Sequence, residues 1–131
     1  MFELTINEKE YQLNFGFGFI RDIDPSITRK IDGVTGKVEQ LGLQYAVAGI
    51  IDGNVEDLVN VLYYGNKHAD GEKVSRKDIE KYLESSETDV AEIFKIVLDF
   101  LSKANCTKKT VENLQKAIEA EKAKAAKNEQ N

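Results

Sequence analysis

The hydrophobic pattern of this chain changes period after its first fifteen residues, and that change decides what it folds into. FELTI (2–6) and YQLNF (11–15) alternate apolar and polar residues, as a strand with one buried face does. NEKE (7–10) lies between them, so residues 2–15 read as a β-hairpin with a four-residue loop. Phe2, Leu4 and Ile6 share one face of the first strand; Tyr11, Leu13 and Phe15 share one face of the second. A lone hairpin is marginal in water, so this face must lie against helices.

Beyond the hairpin the spacing is helical. Phe19 and Ile23 stand at i, i+4, and Pro25 stops that segment. Residues 25–37 (PSITRKIDGVTGK) are irregular and bear glycine, which predicts a loop with room for one turn of helix. VEQLGLQYAVAGII (38–51) reads as a helix that is apolar nearly all round. DGN (52–54) ends it: Gly53 suits the left-handed position after a helix, and Asn54 suits the cap of the next, VEDLVNVLYYGNK. HADGEK (68–73) is a polar loop, and Ser75 opens SRKDIEKYLESS with Asp78 in the capping-box position. TDVAEIFKIVLDFLSKAN (88–105) is the strongest helix signal, with a stripe of Ile93, Val97, Leu101 and Ala104 widened by Phe94, Ile96, Leu98 and Phe100. Thr107 is placed to cap a last helix, whose apolar residues are Val111, Leu114 and Ile118. Only alanines follow, so residues 119–131 are expected to fray into a solvated tail. The fold class is α+β, mainly α: one domain over 1–118, with a hairpin packed on a bundle of about five helices.

Composition narrows the function. The 131 residues are 41% hydrophobic and 31% charged, a globular balance. Net charge is −5, and the last 25 residues carry six Lys and four Glu, which leaves −7 on the body. An acidic body argues against nucleic acid, whose readers need a basic face, and against an anionic membrane surface. The longest apolar run, YAVAGII (45–51), is far short of the roughly 20 residues of a membrane helix. MFELTINEKE has no basic region followed by an apolar run, and Cys106 is the sole cysteine, so a reducing cytoplasm is expected.

No chemistry assembles from the motifs. In NFGFGFIRDID (14–24), Gly16 and Gly18 fit the first two glycines of a dinucleotide fingerprint, but Arg21 stands at the third. A P-loop would need Gly-Lys-Ser/Thr, which is missing. These glycines instead turn the chain out of the second strand, with Phe15, Phe17 and Phe19 expected in the core at about 1.5–3 kcal/mol each. The acidic stretches starting at Asp22 and Asp52 lack the Gly and the final Glu of an EF-hand. His68, the only histidine, reads as a surface residue; Cys106 reads as a small apolar residue at a helix junction. Asp and Glu at 56, 57, 78, 80 and 84 read as solvated helix surface. No catalytic residue, cofactor or metal ligand set is expected, and hence no enzyme.

Two helices are more apolar than surface helices need to be. The 38–51 helix sets Gly42, Ala46 and Gly49 along one side, and the 88–105 helix is apolar over most of its circumference. Either these helices form the core, or part of their surface is a groove that accepts another helix. Tyr63 and Tyr64 would suit the rim of such a groove.

NFGFGFIRDID, then GLQYAVAGIIDGNVEDLVNVLYYGNK, then a helix ending VLDFLSKAN before TKKTV, resembles the tail assembly chaperones of long-tailed phages of Gram-positive bacteria, over roughly residues 1–118. The resemblance implies a protein made in the host cytoplasm and absent from the finished virion. It implies two partners: the helical tape measure protein, which the chaperone keeps soluble, and the tail tube protein, which displaces it. Self-association along the tape fits the same role, and a frameshifted longer form is known in many such phages. The expected contacts are Tyr63, Tyr64, Phe94, Leu98 and Leu101, on the 54–67 and 88–105 helices. The alternative is a small homo-oligomeric component that stays in the phage tail or head–tail connector.

Overall fold

The computed structural model describes residues 2–31, 33, 36 and 38–129. Strands β1 (Phe2–Ile6) and β2 (Lys9–Leu13) pair antiparallel, with Phe2 opposite Leu13 and Ile6 opposite Lys9. The loop is therefore two residues, not four: Lys9 and Glu10 stay in the ladder as solvent-facing strand residues. Asn7 and Glu8 make the turn at φ 51° and 69°, the left-handed pair whose twist matches a hairpin. Leu4, Ile6, Tyr11, Leu13 and Phe15 are buried, as the alternation predicts.

Helix α1 (Phe17–Ile23) follows, then a short 3-10 turn, Asp24–Ser26. Phe19 and Ile23 are buried, but Phe17 is 69% exposed. The expectation for Phe17 fails because it opens a helix whose inward stripe is Phe19 and Ile23, which leaves Phe17 on the outer side, beneath the Arg21 guanidinium 5.7 Å from its ring. Aromatic contacts tie the hairpin to the helices that follow. Phe15 meets Phe19 edge-on at 5.0 Å, and Phe2 lies 4.8 Å from Phe100.

A second hairpin pairs β3 (Thr28–Lys30), inside the segment expected to be a loop, with β4 (Val38–Gln40), at the start of the segment expected to be helix. Arg29 donates to Glu39 across it at 2.6 Å. Part of the expected tip, at 32, 34, 35 and 37, lies outside the described residues. Because 38–40 pairs as strand, helix α2 begins at Gly42 rather than at Val38, and runs to Asp52. Its start has no local side-chain cap; Asp24 Oδ1 instead accepts from Leu43 N at 3.2 Å, satisfying one of the free N–H groups that any helix start leaves.

The remaining helices are α3 (Val55–Lys67), α4 (Arg76–Glu84), α5 (Val90–Lys103) and α6 (Lys108–Glu129). Gly53 is left-handed at φ 79°, and the Asn54 and Ser75 side chains accept from the backbone N–H three residues on. Thr107 precedes α6, and its carbonyl accepts from Val111 N. Its hydroxyl, however, points backward and donates to Leu101 O at 2.6 Å, locking the α5–α6 corner. α6 continues to Glu129, with residues 119–127 all exposed.

The architecture is α+β and mainly α, with six α-helices among the described residues. α2 is central, packing on α3, α5 and α6, while α3 also packs on β2, α1 and α4. One hydrophobic cluster runs from the first hairpin through α1–α5 to Val111 of α6.

Candidate partner-binding surface

α3 turns Leu58, Val59, Val61 and Leu62 into the core, which leaves Tyr63 and Tyr64 half-buried on its flank. The two rings meet edge-on with centroids 5.3 Å apart. Arg76, at the start of α4, lies over both, 4.4 Å from Tyr63 and 5.2 Å from Tyr64. Its Nη1 donates to Asn60 Oδ1 at 2.6 Å, which fixes the guanidinium in place. Tyr63 and Arg76 form part of the wall of a cleft of about 490 Å³ that also reaches Lys73 and Val74. Lys73 is committed to structure there: its ammonium donates to Asn66 O at 3.2 Å and to Ala69 O, holding carbonyls at the end of α3.

α5 presents the other expected contacts. Asp89 caps it by accepting from Glu92 N at 3.2 Å, and Ile93, Val97 and Leu101 form its buried stripe. Phe94 and Leu98, one turn apart, lie half-buried beside that stripe. Leu101 is 0% exposed. It is a core residue, and it offers no surface to a partner. The two candidate pairs thus sit on α3 and α5, and α2 is the helix that packs extensively on both.

Other side chains escaped the sequence reading. His68 is half-buried rather than on the surface: its Nε2–H donates to Asp22 Oδ2 at 2.6 Å, and Lys67 Nζ donates to the same oxygen at 3.0 Å. Those two hydrogen bonds, His68 first, hold the Asp22 carboxyl below its ordinary value. Asp57 is half-buried rather than solvated. Burial, followed by the neighbouring Glu56, pushes its carboxyl up. It lines a cleft of about 260 Å³ between α1, α2 and α3, together with Ile23, Ile27, Ala46, Asn60 and Tyr64. No local pattern marks Asp57, because its burial comes from the crossing of α2 and α3 and not from its own helix.

Cys106 is partly exposed in the α5–α6 corner, beside Phe2, Phe15 and Ala104. Among the described residues, no group of three or more His, Cys, Asp or Glu is placed to hold a metal ion. No helix of those residues is long and apolar enough to cross a membrane.

What the geometry offers is therefore partly exposed apolar and aromatic surface on α3 and α5. Residues 3–116 match the family model described as phage tail assembly chaperone protein, TAC. No curated protein and no solved structure matches the chain. The family match spans both hairpins, α1–α5 and the packed half of α6, and the chain belongs to the phage tail assembly chaperone family.

Proposed function

We propose that this chaperone binds the helical tape measure protein, keeps it soluble, and helps recruit the tail tube protein as the tail is built. Membership of the family over residues 3–116 carries this reading. The physics supports it. A long amphipathic helix aggregates through its apolar stripe unless something covers it. Phe94 and Leu98 on α5, and Tyr63 and Tyr64 on α3, supply partly exposed apolar surface for that purpose. The chain's net charge of −5 keeps a coated tape in solution. Each contact is weak enough to be displaced, because many copies on one tape bind by multivalency, with self-association along the tape adding to it. The protein acts in the host cytoplasm and is absent from the mature virion.

The experiment is co-expression with the tape measure protein of the same phage. A soluble tape that co-elutes with many copies of this chain is the expected result. A tape equally insoluble with and without the chaperone overturns the reading. Stoichiometric amounts of this chain in purified virions would put a resident structural component of the tail or connector in its place.

A further inference from the structure

The cleft between α1, α2 and α3 differs from the apolar flank of α5. Of the residues that line it, Asp57 alone carries charge. The Asp57 carboxylate lies against Gly49 of α2 so closely that a Cβ at position 49 would occupy the same space. Among the described residues no cation pairs with it; Arg76, which lies over the Tyr64 ring, is committed to Asn60. The rest of the lining is mostly apolar, with Ile23, Ile27, Ala46 and Tyr64, and its neutral polar members are Ser26 and Asn60. A carboxylate held against apolar walls keeps its charge at a cost that an incoming cation would relieve. The raised Asp57 carboxyl agrees with that environment.

We infer that this cleft receives a lysine or arginine side chain carried on a helix of the tape measure protein, with Asp57 as its counter-ion. The inference rests on the tape measure protein being the client. Charge complementarity selects the occupant: a purely apolar side chain would bury the Asp57 charge without a partner, and an anion would be repelled. The shape agrees with it. A lysine or arginine has a long aliphatic stem, which packs on Ile23, Ile27 and Ala46 while its head reaches the carboxylate. About 260 Å³ accommodates one such side chain with room for its orientation. The contact would set the register of the chaperone on a tape helix, which a featureless apolar stripe does not do.

The test compares wild type, Asp57→Asn and Ile27→Lys, each co-expressed with the tape measure protein and titrated against it at rising salt. Thermal melts of the chaperone alone run beside them. Asp57→Asn keeps the shape of the side chain and removes its charge. Capture should weaken by about tenfold, the order expected for one charge-assisted contact, and its salt dependence should flatten. Ile27 lines the cleft, is 37% exposed and lies outside the core cluster, so Ile27→Lys leaves the core intact and sets a competing cation there. The same loss is expected, and this variant decides the matter where Asp57→Asn lowers the melting temperature. Unchanged capture by both folded variants overturns the inference while the chaperone reading stands. A wild type that captures no tape overturns both. Lower self-association with unchanged capture gives the cleft to a second copy of this chain, and also overturns it.

Discussion

His68 Nε2 lies 2.6 Å from Asp22 Oδ2, which ties the end of α3 to α1 across 46 positions of sequence. The imidazole lies over Gly18 so closely that no Cβ fits there. Gly18 in NFGFGF is thus a seat for a histidine and not part of a phosphate loop. Asp22, with its carboxyl held below the ordinary value, contributes stability that is fully present above the unfolded pKa of about 3.9. That contribution is lost as pH falls through the lower folded value. Asp22→Asn should cost about 1 kcal/mol at neutral pH and close to nothing once the wild-type carboxyl is protonated. Chemical denaturation at neutral pH and again well below the ordinary carboxylate value, where the wild-type carboxyl is protonated in the folded state too, checks it. An Asn variant that loses as much stability in acid as at neutrality would show that shape, and not charge, is what Asp22 provides.

Asn66 is the most committed buried polar residue of the fold. It is 1% exposed. Its Nδ2 donates to Gln12 O at 3.0 Å and Glu72 O at 3.1 Å, and its Oδ1 accepts from Val74 N at 2.8 Å. One side chain thereby joins β2, the loop after α3 and the approach to α4. Asn66→Ala leaves three backbone groups without their partner and should cost about 2–4 kcal/mol. Asn66→Asp should be no better, because a carboxylate has no donor for the two carbonyls. Urea unfolding of both variants, against Asn60→Ala as a half-exposed control, measures this.

How far sequence reaches is visible in which caps it found. Asn54 and Ser75 are legible because a cap and its N–H lie three residues apart, and the left-handed Gly53 is legible because the turn is local. Asp24 capping Leu43 is not, since the two stand 19 positions apart. The second hairpin was missed for a related reason. Its strands are three residues each and almost wholly exposed, so no buried face imposes an alternation. Helical spacing found the α5 stripe, yet it grouped Leu101 with Phe94 and Leu98 as contacts. Burial separates them, and burial depends on α2 and α6 packing over α5, which periodicity does not encode. Asp57 and His68 follow the same rule: a single polar residue acquires its environment from distant elements.

That separation on α5 predicts two classes of variant. Leu101→Ala opens a cavity in the core and should cost about 2–5 kcal/mol, with capture of the tape lost only as far as the protein unfolds. Phe94→Ala and Leu98→Ala remove side chains that are half-buried, and should cost about 1–2 kcal/mol each. Under the proposed function they should reduce the soluble tape at temperatures where the chaperone itself remains folded. Denaturation midpoints and soluble tape, measured on the same preparations, distinguish the classes. Capture that simply tracks stability across all three variants would place Phe94 and Leu98 with the core.

The far end of α6 bears on where the folded unit stops. Val111 is buried and Leu114 packs on the core, but every residue from Glu119 to Lys127 is exposed. Alanine and lysine favour helix, so the segment continues α6 by propensity, with no packing to hold it. Removing 119–131 should therefore leave the unfolding free energy within about 0.5 kcal/mol of the full chain, while the helical circular dichroism falls. A loss well above that would mean the end of α6 docks on the body, and the domain boundary would move beyond Ile118. Tape capture by the truncated chain adds a separate reading. If the body alone covers the tape, capture persists; if it falls while stability holds, the Lys-rich end of α6 is itself a contact with the partner.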